Sequence, residues 1–142
     1  SAQWKAIIEQ LNQPMAMIDE KVCSQMSTLV AALTEAVVLH EAKTNPDILL
    51  KAIKEGVKSL PLQESQTTII LHPEDIAIVE QAFGEKVIEE NSWRILPEPA
   101  LERGSCQIEN STSQIDYQIK NRLKEVLEPF LHDAAHTLSA SE

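Results

Sequence analysis

Apolar residues at Trp4, Ile8, Leu11, Met15, Ile18 and Val22 recur in alternating steps of four and three. A 3.5-residue repeat keeps one face of a helix turned toward a neighbour, so these six positions read as the seam of a coiled coil and as candidate dimerisation residues. After Val22 the steps become four, three, four and four through Met26, Leu29, Leu33 and Val37. The seam then drifts round the helix as a stutter makes it do, and continuous pairing is expected to stop there. Pro14 lies inside the pattern, where it lacks a donor and clashes with the carbonyl four residues before it. A bend, or a restart with Gln13 as boundary, is expected. From Pro14 to Lys43 the helix spans about 45 Å at 1.5 Å per residue. That is longer than a small domain needs for its own core, so part of it should project or pair.

Thr44-Asn45-Pro46-Asp47 stops this helix and starts another, with Asn45 as N-cap, Pro46 in the first turn and Asp47 complementing the dipole. Ile48, Leu49, Ala52, Ile53, Val57 and Leu60 give the second helix its core face, and Gly56 on that side admits a close neighbour. Gln66 to Leu71 is β-branched and apolar without strict alternation, as suits a strand buried on both faces. His72-Pro73-Glu74-Asp75 turns the chain into a short helix closing at Phe83-Gly84. His72 is expected to cap that helix or to satisfy a buried carbonyl. Ser92 to Leu96 reads as a second strand that Pro97 and Pro99 bar from further pairing. Gly104 to Glu109 with Ser113 to Ile115 reads as a hairpin across Asn110-Ser111-Thr112. A last helix begins near Asp116, itself a cap, and Pro129 bends or ends it.

These elements predict an α+β fold: a long N-terminal helix, then a small mixed sheet of three to four strands packed with helices. The expected division is a helical dimerisation part over 1–43, a partner-binding lobe over 44–131 and a frayed tail over 132–142.

Twenty-two acidic residues against twelve basic ones give a net charge of -10, which repels phosphate backbones, and nucleic acid is not an expected partner. Between residues 59 and 119 stand eleven carboxylates and only Lys86, Arg94 and Arg103, a region suited to a basic partner or simply to solubility. The apolar run Leu29 to Leu39 is interrupted by Thr34 and Glu35 and falls short of the roughly 20 residues of a membrane span. No direct membrane insertion is expected. Cys23 and Cys106 show neither paired-cysteine spacing nor a secretory signal upstream, which reads as a reducing cytoplasmic setting. The opening Ser1-Ala2 reads as a cloning remnant.

Catalytic chemistry is hard to draw. Three isolated glycines cannot build a phosphate-cradling loop, so no cofactor is expected. His132, Asp133 and His136 could present two imidazoles to a metal, but no third strong ligand is fixed nearby, so polar residues on a fraying helix are the expectation. Cys106 with His40 or His72 as base is a weaker reading than a small buried hydrophobe on a strand. Trp93 and Ile95, with Val126, Leu127 and Phe130 on the last helix, are the partner-binding candidates; all could instead be core, and for Trp93 core packing is the safer reading.

Ile69-Ile70-Leu71-His72-Pro73-Glu74-Asp75, Trp93-Arg94-Ile95-Leu96, Gly104-Ser105-Cys106-Gln107-Ile108-Glu109, and Ile115-Asp116-Tyr117 ending at Arg122-Leu123 stand in a fixed order and spacing. In series, and with the Pro14-Met15 and Glu41-Ala42-Lys43-Thr44-Asn45-Pro46 blocks before them, they resemble the C-terminal domain of the FliH family of flagellar assembly proteins. Gly104-Ser105-Cys106 stands where that family often has Gly-Gly-Cys, and Glu98 where it usually has aspartate. The family's N-terminal docking segment and glycine-repeat helices have no counterpart here. The resemblance implies a non-enzymatic protein similar to rotary-ATPase peripheral stalks, a homodimer in the cytoplasm whose lobes hold the N-terminal region of the type III flagellar export ATPase FliI. It also implies that the dimer lowers ATPase activity and delivers FliI to the export gate, with gate and rotor contacts made by the missing N-terminal part. The alternative within the resemblance is a YscL-type stator of a virulence secretion system. Outside it stands a scaffold with no ATPase partner.

Overall fold

The computed structural model describes residues 2–61 and 66–140, with side chains as far as His132. Helix α1 (Ala2–Thr44) is followed by α2 (Pro46–Ser59), strand β1 (Thr67–Leu71), α3 (Pro73–Phe83), α4 (Glu85–Glu90), β2 (Trp93–Pro97), β3 (Cys106–Glu109), β4 (Gln114–Tyr117) and α5 (Ile119–Ala140). The fold is α+β, with a four-stranded mixed sheet of order β2-β1-β3-β4. β1 and β2 are parallel, while β1 with β3 and β3 with β4 are antiparallel. The chain resolves into two compact units, Glu35–Lys124 and Ser1–Thr34 with Glu125–Glu142. The lobe therefore takes in the last ten residues of α1, ahead of the boundary expected at residue 44. Ala42 explains the difference, because it is buried at the point where Gly104 lies against its backbone.

Local signals set most of the element ends. Asn45 Oδ1 accepts from Asp47 N–H at 3.1 Å, and Pro46 opens α2 without a donor to waste. His72 does the same for α3, its Nδ1 accepting from Glu74 N–H at 3.0 Å. The β3–β4 turn is an Asx turn in which Asn110 Oδ1 accepts from Thr112 N–H (3.0 Å) and Ser113 N–H (2.8 Å). Asp116, expected at the start of the last helix, lies in β4. From there its carboxylate accepts from Gln118 N–H (2.9 Å) and Asn121 Nδ2 (3.0 Å) at the foot of α5.

Two prolines stand inside continuous helices, so neither the restart at Gln13 nor an end at Pro129 occurs. α1 is unbroken through Pro14, and α5 runs through Pro129 to Ala140. Each proline deprives one carbonyl, that of Gln10 and that of Glu125, of its helical donor. Both residues are exposed, so water supplies the missing bond at small cost. Pro97 closes β2 opposite Leu71, and Glu98 N–H still donates to Leu71 C=O at 2.8 Å, so pairing outlasts the proline by one residue. β2 is an edge strand, the place in a sheet where a missing donor is tolerated.

The core joins Leu49, Ala52, Ile53 and Leu60 to Ile69 and Leu71 of β1, Val79 of α3, and Cys106 and Ile108 of β3. β1 buries Ile69 and Leu71 fully and Ile70 only in part, so one of its faces is deeper than the other. Gly56 presses α2 onto this sheet: a Cβ there would overlap Ile108 Cδ1 and come within 2.9 Å of Tyr117 Cε2.

Candidate functional site

The sequence blocks between residues 69 and 123 are architectural in the folded lobe. Asp75, 3% exposed, accepts from Arg103 Nε at 2.7 Å and from Gly104 N–H at 2.8 Å, while Arg103 also donates to Glu74 at 2.8 Å. The hydrogen bond to Asp75, with the charges of both acids, raises the Arg103 pKa against the opposing effect of burial. The loop between β2 and β3 is thereby pinned to the start of α3. Ser105, buried, accepts Ile119 N–H on its hydroxyl at 3.0 Å and so caps α5 from the loop residue just before β3. Arg122 lies over the Tyr117 ring at 5.3 Å. Lys120 reaches Glu102 at 3.0 Å and Glu35 at 4.0 Å, a hub whose first bond raises the lysine's pKa.

Cys106 and His72, weighed as a nucleophile and its base, have other places in the fold. The Cys106 thiol is fully buried, and desolvation pushes its pKa up to about 12, so it is no nucleophile at neutral pH. His72, its imagined base, is occupied as a helix cap. Among the described residues no group of three or more His, Cys, Asp or Glu side chains gathers to hold a metal. The side chains of Asp133 and His136 lie outside the described residues, while His132 is exposed on α5.

The candidate partner-binding residues fall into two sets. Trp93 and Ile95 are half-buried and pack on the lobe's core, Trp93 meeting Phe83 edge-to-face at 5.0 Å. Val126 and Phe130 are exposed on α5, and Leu127 is half-buried. α1 is the larger open surface: Trp4, Ile8, Leu11, Met15, Ile18 and Val22 are all exposed, from 44% at Val22 to 71% at Trp4, and so are Ile7, Met26, Leu29, Leu33 and Val37. By length and composition α1 is also apolar enough to cross a membrane, which the interrupted run at Leu29 to Leu39 understates because the apolar residues before it lengthen the stretch.

The described residues define an α+β protein with an acidic lobe and, on α1, a run of exposed apolar side chains. The model of the family described as flagellar assembly protein FliH matches residues 1–126, and the chain belongs to that family. It is 19% identical over 125 residues to the flagellar assembly protein FliH of Salmonella typhimurium strain LT2. The match covers 88% of this chain but 53% of that protein, so the chain spans about half the length of its curated relative.

Proposed function

We propose that this chain is the ATPase-holding part of a flagellar type III export apparatus: a peripheral-stalk-like homodimer that binds the N-terminal region of the export ATPase FliI and lowers its turnover at the cytoplasmic face of the export gate. Membership of the FliH family across residues 1–126 carries the reading. The molecule's physics supports it. A helix of 43 residues leaves a continuous apolar face open, which is what a paired stalk requires. The eleven carboxylates between residues 59 and 119 favour encounter with a basic helical ligand. On α5, Val126 and Phe130 offer anchors that the lobe's own packing does not use.

Titration of full-length FliI with this chain, following light scattering and ATP turnover in the same samples, tests the proposal. A complex with two copies of the chain per ATPase and a reduced turnover is expected. Absence of a complex at tens of micromolar, weaker than about -6 kcal/mol, overturns it for these residues.

A further inference from the structure

The exposed apolar residues of α1 follow a different period from the heptad suggested by its first half. Trp4, Met15, Met26 and Val37 recur every eleven residues. So do Ile7, Ile18 and Leu29, and so do Leu11, Val22 and Leu33. Within each repeat the steps are three, four and four, and every one of these side chains is exposed. What looked like a seam drifting after Val22 is an unbroken pattern of three eleven-residue repeats. Ile7, rather than its neighbour Ile8, belongs to this pattern.

Eleven residues in three turns is 3.67 per turn, above the 3.6 of a relaxed α-helix, whereas a heptad gives 3.5, below it. The two patterns therefore wind a helix pair in opposite senses. At 100° per residue the eleven-residue stripe drifts about 20° per repeat, and a heptad drifts about 20° the other way in seven residues, so the right-handed winding is also the gentler.

Resting on the homodimer reading above, we infer that α1 pairs with α1 of a second copy of this chain, parallel and in register, as a right-handed coiled coil that continues at least from Trp4 to Val37. The occupant is a second copy because the stripe demands a partner of the same uncommon period over the same length, and this chain supplies one. Charge fixes direction and register. Ile8 and Val30 flank the stripe at one equivalent position, 22 residues apart, and midway between them the position is held by Asp19. On the opposite flank of that middle repeat stands Lys21, where the neighbouring repeats have Gln10 and Ala32. A parallel pair sets one flank of each helix against the other flank of its partner, so each Asp19 meets Lys21 of the second copy. A slip of one repeat sets it against Gln10 or Ala32. An antiparallel pair sets like flank against like and loses both contacts.

Disulfide crosslinking of single-cysteine variants reads the supercoil directly. In a Cys23→Ser background, which leaves only the buried Cys106, Met26→Cys, Leu33→Cys and Val37→Cys are expected to form covalent dimers on mild oxidation. Gln25→Cys, Ala32→Cys and Ala36→Cys, where a heptad continued from Val22 would put its seam, are expected to crosslink at least tenfold more slowly. The reverse pattern overturns the right-handed winding and leaves the homodimer standing. A monomer by light scattering with no crosslink at any site overturns both, as does transfer of the uncrosslinked chain to neutral phosphatidylcholine vesicles, which would make α1 a lipid-facing helix. Lys21→Glu is expected to weaken the dimer about twofold to fivefold, and the exchanged variant Asp19→Lys, Lys21→Asp to recover it. Failure of the exchange to recover affinity overturns the parallel register.

Discussion

Arg103 Nε lies 2.7 Å from Asp75 Oδ1 across 28 residues of sequence, and the other oxygen of the same carboxylate takes the backbone N–H of Gly104. One buried acid thus holds both a side chain and the strand-entry loop that follows it. Asp75→Ala leaves the Gly104 N–H without an acceptor and Arg103 with only the exposed Glu74, and a loss of about 3 kcal/mol in unfolding free energy is expected. Asp75→Asn keeps an acceptor but not the charge, and should cost about half as much. Urea denaturation of the two variants checks the order. Equal losses would mean that the charge carries the whole effect and a neutral acceptor contributes nothing, whereas an Asp75→Asn variant as stable as the native chain would mean that the charge contributes nothing.

Gly104 and Gly84 both have positive φ, 82° and 83°, but their surroundings differ. A Cβ on Gly104 would stand 2.6 Å from Ala42 C=O and 2.8 Å from Ala42 Cβ, backbone and a short side chain that cannot step aside. A Cβ on Gly84 meets nothing within 4 Å. Gly84→Ala therefore incurs only conformational strain, about 1 to 3 kcal/mol, whereas Gly104→Ala adds the displacement of α1 from the lobe and should cost at least about 2 kcal/mol more. Thermal denaturation of the pair, with Ala42→Gly as partial rescue of Gly104→Ala, separates strain from collision.

Burial holds the Cys106 thiol protonated to about pH 12, while in the unfolded chain it ionises near its ordinary value of 9.0. The folded state then binds more protons than the unfolded state throughout that interval. Stability from this group is fully present below pH 9 and is lost as pH rises toward 12. The expected loss between pH 9 and pH 10 is about 1 kcal/mol. Other groups titrate there too, so the measurement is the difference in urea midpoint between the native chain and Cys106→Ala at both pH values. A gap between the two that does not narrow as pH rises contradicts the assignment.

Where structure is fixed within a few residues, it could be read along the chain. Asn45-Pro46, His72-Pro73 and Asn110-Ser111-Thr112 act through bonds to residues two or three positions away, and each does in the fold what its chemistry suggests. α4 leaves little mark in the sequence because six residues hold only Val87 and Ile88 as large apolar positions, too few for a period, and Gly84 reads as an end rather than a hinge between helices. The parallel register of β1 with β2, Thr67 against Trp93, is set by packing of α3 and α4 between them in sequence and leaves no local mark. The Asp75–Arg103 and Ser105–Ile119 bonds are likewise invisible until the sheet brings their ends together. The open face of α1 was legible as a partner-seeking stripe, but its period was not, because Ile7 and Ile8 are neighbours and either can begin a plausible seam.

Trp93 and Phe130 divide the two tasks that an aromatic residue can have in such a module. Trp93 is half-buried against Phe83 and the core, so Trp93→Ala should cost about 2 kcal/mol of lobe stability and weaken FliI binding only insofar as it unfolds the lobe. Phe130 is 60% exposed, so Phe130→Asp should leave unfolding within about 0.5 kcal/mol of the native chain. If α5 anchors the ATPase, Phe130→Asp nevertheless weakens its binding by tenfold or more, since aromatic anchors dominate interface energetics. Denaturation midpoints together with light-scattering titrations against FliI, run on both variants below their unfolding transitions, separate these effects. Loss of binding in folded Trp93→Ala with full binding by Phe130→Asp would move the docking surface from α5 to the β2 edge of the sheet.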